Sequence, residues 1–217
     1  MTRRELEYES DAIIVTYDPK RCIHAEECIH GLPGVFEKDR RPWIDPAQGQ
    51  ADEIAAVVTR CPTGALSFER KDDGPAESPP PQNTAALAQD GPLYAAGRIE
   101  IETSEGVQNE TRVALCRCGA SKNRPFCDNS HVEAGFADSG GIGEGRLVPS
   151  EEVGPEAPVA FTAAPNGPLL VSGPLTIKSA DGAQSCSGAK GTLCRCGASK
   201  RKPFCDGTHA VIGFEAN

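Results

Sequence analysis

Hydrophobic positions along this chain come in short bursts separated by polar, turn-forming stretches. Ile13–Tyr17 (IIVTY) is a β-branched run and predicts a strand. Asp52–Thr59 (DEIAAVVT) reads as a short helix that stops before Cys61–Pro62. Leu66–Phe68 reads as a second short strand. Further on, Tyr94–Ile101 and Leu169–Ile177 are strand candidates, each broken by a glycine, Gly97 and Gly173. No long amphipathic helix is visible. Residues 72–92 (DDGPAESPPPQNTAALAQDGP) hold three consecutive prolines and read as a semi-rigid linker. The predicted organisation is therefore a domain over 1–71, a linker over 72–90 and a second unit over 91–217.

The second unit contains an internal repeat. Residues 115–136 read LCRCGASKNRPFCDNSHVEAGF and residues 193–214 read LCRCGASKRKPFCDGTHAVIGF, identical at 15 of 22 positions with an offset of 78. A looser echo precedes each copy, GPLYAAGRIEI at 91–101 and GPLLVSGPLTI at 167–177. Each copy reads as two short β-like runs, a cysteine loop and a short helix.

Composition turns this pattern into a question about cross-links. Of 217 residues, 23 are Gly and 18 Pro, aromatics are 5% and hydrophobics 38%, below the usual ~45–50%. Such a chain builds small, subdivided cores, and small cores are commonly held by disulfides or metals. It has ten cysteines. No run approaches the ~18 apolar residues of a membrane span, and the charged start MTRRELEYESD does not read as a signal peptide. The expected location is cytoplasmic, where closely spaced cysteines are metal ligands or catalytic thiols more often than disulfides. A net charge of −9 and pI near 5.0 disfavour nucleic acid and anionic membranes as partners.

Each repeat has the spacing C-x-C-x8-C-x3-H: Cys116, Cys118, Cys127 and His131, then Cys194, Cys196, Cys205 and His209. In an extended run, residues i and i+2 point to one side, so both sulfurs of C-x-C can face one centre. Pro125 and Pro203 restrict φ before the third cysteine. Asp128 and Asp206 are placed as N-caps of a short helix whose first turn carries the histidine, and Gly135 and Gly213 suit its end. Three thiolates and an imidazole can hold zinc, or a [2Fe–2S] cluster with one histidine in place of a cysteine. Spacing alone does not choose.

The motif resembles that of the CDGSH iron–sulfur family, C-x-C-x2-[ST]-x3-P-x-C-D-G-[SAT]-H. The second copy matches throughout, with Ser199, Pro203, Asp206, Gly207 and Thr208 beside its four ligand candidates. The first matches with Ser121, Pro125, Asp128 and Ser130, and departs at Asn129, where the family has glycine. A glycine there suggests φ > 0, which asparagine tolerates next best. The resemblance implies one [2Fe–2S] cluster per repeat on three Cys and one His, with Ser121, Asp128, Ser199 and Asp206 around it. It also implies two motifs packed about a pseudo-twofold axis in one chain, as in tandem members of the family, and hence a monomer through an internal pseudo-dimer. A histidine ligand should raise the potential relative to all-cysteine ligation and make the cluster more acid-labile. Arg117, Lys122 and Arg124 flank one motif, and Arg195, Lys200, Arg201 and Lys202 the other. These read as positive collars, for solubility and charge compensation or as a docking face for an acidic redox partner.

The N-terminal part holds Cys22-I-H-A-E-E-Cys28 and Cys61-Pro62-T-G-A-L. Bacterial ferredoxin motifs read C-x2-C-x2-C…C-P. Here the first, third and last cysteines are present and Ala25 stands at the second. Tyr17 to Phe68, including RRPWID at 40–45, resembles the divergent single-cluster ferredoxins. Three thiolates favour [3Fe–4S]; a [4Fe–4S] cluster would need His24, Glu26 or water on the fourth iron. His24 and His30 otherwise read as surface or supporting residues, Trp43 as packing under the cluster loop, and Cys186 as a free thiol.

The expected fold is α+β: a small ferredoxin-like domain, then a β-rich tandem CDGSH unit. The expected function is single-electron transfer or redox sensing with a redox protein partner, and not enzymatic, since no flavin, nicotinamide or substrate motif is present. The alternatives are cluster transfer to an apo iron–sulfur acceptor in iron homeostasis, or a zinc-binding interaction module.

Overall fold

The computed structural model describes residues 5–103, 106–150 and 154–216. The chain divides into two compact units, Met1–Ser78 and Pro79–Asn217. Among the described residues it is mostly β; the longest helix has eight residues.

The first unit is a three-stranded antiparallel sheet with one helix against it. Strands β1 (Leu6–Glu9), β2 (Ile13–Tyr17) and β3 (Leu66–Arg70) lie in that order, with Ile13 opposite Arg70 and Tyr17 opposite Leu66. Ile13 and Val15 alternate along β2 and are fully buried, the period of 2 expected when one face meets a core. They pack with Ile54, Val57 and Val58 of helix α2 (Ala51–Val58) and with Phe36 and Ile44. A short helix α1 (Glu27–Gly31) carries Cys28. Neither β1 nor α1 has a clear periodic signal, both being only four to five residues long.

Among its described residues the second unit has six strands: β4 (Thr84–Leu87), β5 (Leu93–Thr103), β6 (Gly106–Leu115), β7 (Val159–Ala163), β8 (Leu169–Lys178) and β9 (Ser185–Leu193). Strand β5 pairs with β6 along its length and β8 with β9. On its other side β5 pairs first with β4 and then with β7; β8 pairs first with β7 and then with β4. Each repeat's leading strand thus sits between its own repeat and the other, and neither repeat completes its sheet alone. The switch of neighbour occurs where the register slips, at Ala96/Ile99 and Ser172/Leu175. The glycines that interrupt the two runs lie there. A Cβ on Gly97 would meet Asn83, and one on Gly173 would meet the Pro158 carbonyl, so these bulges admit the crossing strand only without a side chain. Leu93, Ile99, Ile101, Leu169, Val171, Leu175 and Ile177 face one core with Phe161, Phe126 and Phe204.

The predicted linker over 72–90 is corrected by this sheet. Its last third holds strand β4, and Asn83 before it is buried. The Asn83 side chain donates to the Ala157 and Pro174 carbonyls at 2.8 and 3.0 Å and accepts from Arg98 N–H at 2.8 Å. An alanine-rich tetrapeptide next to a proline run has no strand signal of its own; two neighbouring strands supply it.

Candidate metal centres

In each repeat the outer strand runs directly into C-x-C. The chain then turns and comes back beside it: Cys116 N–H donates to the Pro125 carbonyl (2.9 Å) and Cys127 N–H to the Ala114 carbonyl (2.8 Å). The second repeat does the same, from Cys194 to Pro203 (2.7 Å) and from Cys205 to Thr192 (3.0 Å). This return ladder brings the third cysteine alongside the first two. Helix α3 (Ser130–Glu133) and its counterpart α4 (Thr208–Val211) follow, each with its histidine in the only turn.

The donor atoms fall into pairs. Cys116 Sγ and Cys118 Sγ are 3.6 Å apart, and Cys127 Sγ and His131 Nδ1 3.4 Å. In the second repeat the distances are 3.8 Å for Cys194–Cys196 and 3.3 Å for Cys205–His209. Among the described residues no three such side chains converge on a single metal-sized point. Cys116, Cys127 and Cys194 are buried and the other three thiols half-buried. Burial pushes the Cys127 and Cys194 thiols up to about 11. A hydrogen bond from Cys118 pulls the Cys116 thiol down and raises that of Cys118 itself. Burial also lowers the pKa of His131, favouring the neutral ring that ligates metals. Buried thiols with raised pKa values become thiolates when a cation replaces the proton.

Main-chain N–H groups point at the sulfurs: Ala120 at Cys118 (3.4 Å), Asn129 at Cys127 (3.5 Å) and Gly207 at Cys205 (3.4 Å). Such donors stabilise negative charge on sulfur and tune a bound metal group. Ser121 and Ser199 turn inward, donating to the Phe126 and Phe204 carbonyls at 2.7 Å. The Asp128 carboxylate accepts from Lys122 N–H (2.8 Å) and Ser130 N–H (3.0 Å), and Asp206 from Lys200 and Thr208 at the same distances. Burial opposes the charged form of Asp128, but the Ser130 and Lys122 donors hold its pKa below the usual range; those from Thr208 and Lys200 do the same for Asp206. The two aspartates tie the cysteine loop to the histidine helix, and the two serines close the loop on itself. The N-cap positions are corrected to Asn129 and Gly207, at φ 74° and 85°, the left-handed conformation expected of a glycine site. Asp128 and Asp206 still satisfy the first helical N–H, from one residue further back.

The positive collar also needs correction. Arg117 and Arg195 are 4% and 1% exposed. In C-x-C the middle side chain points away from the two sulfurs, here into the protein. Arg117 donates to the Gly91 and Ala88 carbonyls at 2.9 and 2.6 Å, pairs with Asp138 at 2.8 Å, and lies under the Phe136 ring. Arg195 donates to the Gly167, Ala164 and Ala216 carbonyls and lies under Phe214. Phe136 and Phe214 follow the histidine helices, and their N–H groups donate to the His131 and His209 carbonyls at 3.0 Å. The arginines therefore latch the histidine helix to the strand that carries the thiols. The repeated R between the cysteines was visible in the sequence; its burial was not. Lys122, Lys200 and Arg201 do lie on the surface.

In the first unit, Cys22, Cys28 and Cys61 line one cavity with Ala25, Tyr17 and Trp43. Burial, then the neighbouring Cys61 and Cys22, push the Cys28 thiol to about 11. Cys61 Sγ lies 3.4 Å from Thr63 Oγ1. Trp43 packs edge-on to Tyr17 at 4.9 Å, forming the apolar wall expected of it. His24 is exposed and does not line the cavity; Glu26 does, with its carboxylate 3.8 Å from His30 Nε2. Cys186 lies away from both repeat sites on β9, half-buried, its sulfur accepting from Leu147 N–H at 3.5 Å.

The family model described as "Iron-binding zinc finger CDGSH type" matches residues 90–132 and 166–210, and "Divergent 4Fe-4S mono-cluster" matches residues 8–71. The chain belongs to both families, one after the other. Uncharacterized protein YjdI of Escherichia coli K12 is 31% identical over 64 residues, 30% of this chain and 84% of that protein, and YjdI of Escherichia coli O157:H7 matches to the same extent. No solved structure matches. The divergent 4Fe–4S match covers all three N-terminal cysteines, and the two CDGSH matches cover all eight repeat donors. The protein is thus an iron–sulfur-binding one. Among the described residues no helix is long and apolar enough to cross a membrane.

Proposed function

We propose that this protein carries single electrons, using two [2Fe–2S] clusters on Cys116, Cys118, Cys127 and His131 and on Cys194, Cys196, Cys205 and His209, with a third cluster on Cys22, Cys28 and Cys61. The pairing of donors carries the reading. A lone tetrahedral zinc with Zn–S arms near 2.3 Å would hold four donors mutually at about 3.8 Å. Two adjacent pairs instead suit two irons with two protein ligands each. When bound, such clusters supply one-electron chemistry without covalent change to a substrate, and the protein is not proposed to be an enzyme.

The residues have separable roles. The sulfurs and Nδ1 atoms bind; Arg117, Arg195, Asp128 and Asp206 hold the histidine helix against the thiols; main-chain N–H groups lower the charge at sulfur. The equivalent pairings β4–β8 and β7–β5 support a pseudo-twofold axis through the second unit and, with it, the reading of an internal pseudo-dimer in a monomeric chain. In the first unit, three thiols and an alanine at the second position support [3Fe–4S]; a fourth iron would need a non-cysteine ligand. The partner is a redox protein. Half-exposure of both histidines, against burial of Cys116 and Cys194, favours cluster transfer to an apo iron–sulfur acceptor as the second reading.

Iron and sulfide analysis with EPR on anaerobically purified protein tests this. About seven irons per chain and an oxidised-state signal from [3Fe–4S] are expected. An EPR-silent oxidised state with about eight irons would replace [3Fe–4S] by [4Fe–4S]. Zinc without iron or sulfide would remove the reading altogether.

A further inference from the structure

The two cysteine loops of the second unit touch each other through the residues that follow their second thiols. Gly119 follows Cys118 and Gly197 follows Cys196, at φ +78° and +82°. A Cβ on Gly119 would lie 2.7 Å from the Cys196 carbonyl oxygen and 3.1 Å from its Cα. A Cβ on Gly197 would lie 2.5 Å from the Cys118 carbonyl oxygen and 3.1 Å from its Cα. Bare backbone therefore packs on bare backbone, reciprocally, with a ligand candidate of each site in the contact.

We propose that Gly119 and Gly197 couple the two repeat sites, so that each cluster is retained longer while the other site is filled. This rests on the reading of both repeats as [2Fe–2S] sites. A bound cluster fixes Cys118 from its sulfur side, and that fixes the surface on which Gly197 and Cys196 rest. The loop at the second site then has less freedom to lose when its own thiolates bind, which lowers the ordering cost of the second event. The nearest atoms across the contact are backbone on both sides, and both loops are braced internally by Ser121–Phe126 and Ser199–Phe204 hydrogen bonds. The crossed strands β4 and β7 prevent the two repeats from drawing apart to relieve the contact. Because coupling is reciprocal in binding free energy, each site supports the other equally.

The test empties the second site of the full chain with Cys205→Ala and His209→Ala, then follows bleaching of the first cluster's visible absorption by a chelator. Loss about fivefold faster than in the native chain, or more, is expected. Emptying the first site with Cys127→Ala and His131→Ala should accelerate loss at the second likewise. An unchanged lifetime at the remaining site would overturn the coupling while leaving the cluster assignment intact. Absence of visible absorption and sulfide from the native chain would overturn the assignment itself.

A matched pair of variants separates this from general damage. Gly197 and Gly182 share a left-handed φ, +82° and +71°, but Gly182 lies in the turn between β8 and β9 and a Cβ there meets nothing within 4 Å. Alanine costs similar backbone strain at both. In the otherwise native chain and in the chain with its second site emptied, Gly197→Ala should alter the visible circular dichroism and EPR of the first-site cluster and shorten its life. Gly182→Ala should do neither. Equal effects from the two, or none from either, would overturn the role of Gly197.

Discussion

Replacing Arg117 by methionine tests whether the latch between thiol strand and histidine helix is structural. Methionine keeps an unbranched, flexible stem and removes the guanidinium. The change breaks the 2.8 Å ion pair with Asp138, whose side chain is 13% exposed, and leaves that carboxylate with the Gly140 N–H as its remaining described donor. Removing one partner of a buried pair costs about 3–5 kcal/mol, and partial exposure of Asp138 puts this case at the lower end. The Ala88 carbonyl keeps a donor in Gly91 N–H at 3.3 Å, whereas the Gly91 carbonyl loses its 2.9 Å bond to Nε, adding about 1 kcal/mol. The total is about 4 kcal/mol. In a unit of this length each kcal/mol lowers the melting temperature by about 3 °C, so a fall of about 12 °C is expected. Thermal unfolding by circular dichroism on holo-protein reads it, with iron retained after gel filtration as a second measure. Arg117→Lys should recover charge but not the three-way fork, and fall between the two. If Arg117→Met melts within about 2 °C of the native chain, the buried arginine is not a latch and the reasoning fails.

Two further outcomes follow from the sheet. Asn83→Ala removes two donated bonds and one accepted at a buried site and should cost about 3 kcal/mol by urea unfolding, although the residue lies in a stretch that reads as linker; a loss under about 0.5 kcal/mol would return it to linker status. Residues 79–217 expressed alone should give a β-type circular dichroism spectrum and bind about four irons, because every described strand pairing of the second unit lies inside it; an unfolded fragment would show that the first unit is needed.

Much of the chemistry was legible along the chain, because ligand geometry is local. C-x-C puts two sulfurs on one side of an extended run, the return loop is short, and the histidine lies four residues after the third cysteine; no distant residue is needed to bring these together. The positive φ at Asn129 was legible for the same reason, as were the two strand-breaking glycines. What the linear chain left open depends on partners distant in sequence. Thr84–Leu87 is a strand only because β5 and β8 lie on either side of it. Arg117 and Arg195 look like surface charge, since arginine usually is, until the carbonyls of residues about 30 positions earlier close over them. The contact of Gly119 with Cys196 joins two motifs that resemble each other but carry no sign of touching. Local spacing determined which atoms can bind metal; long-range pairing determined that the two repeats share one sheet, and that each site's loop rests on the other's.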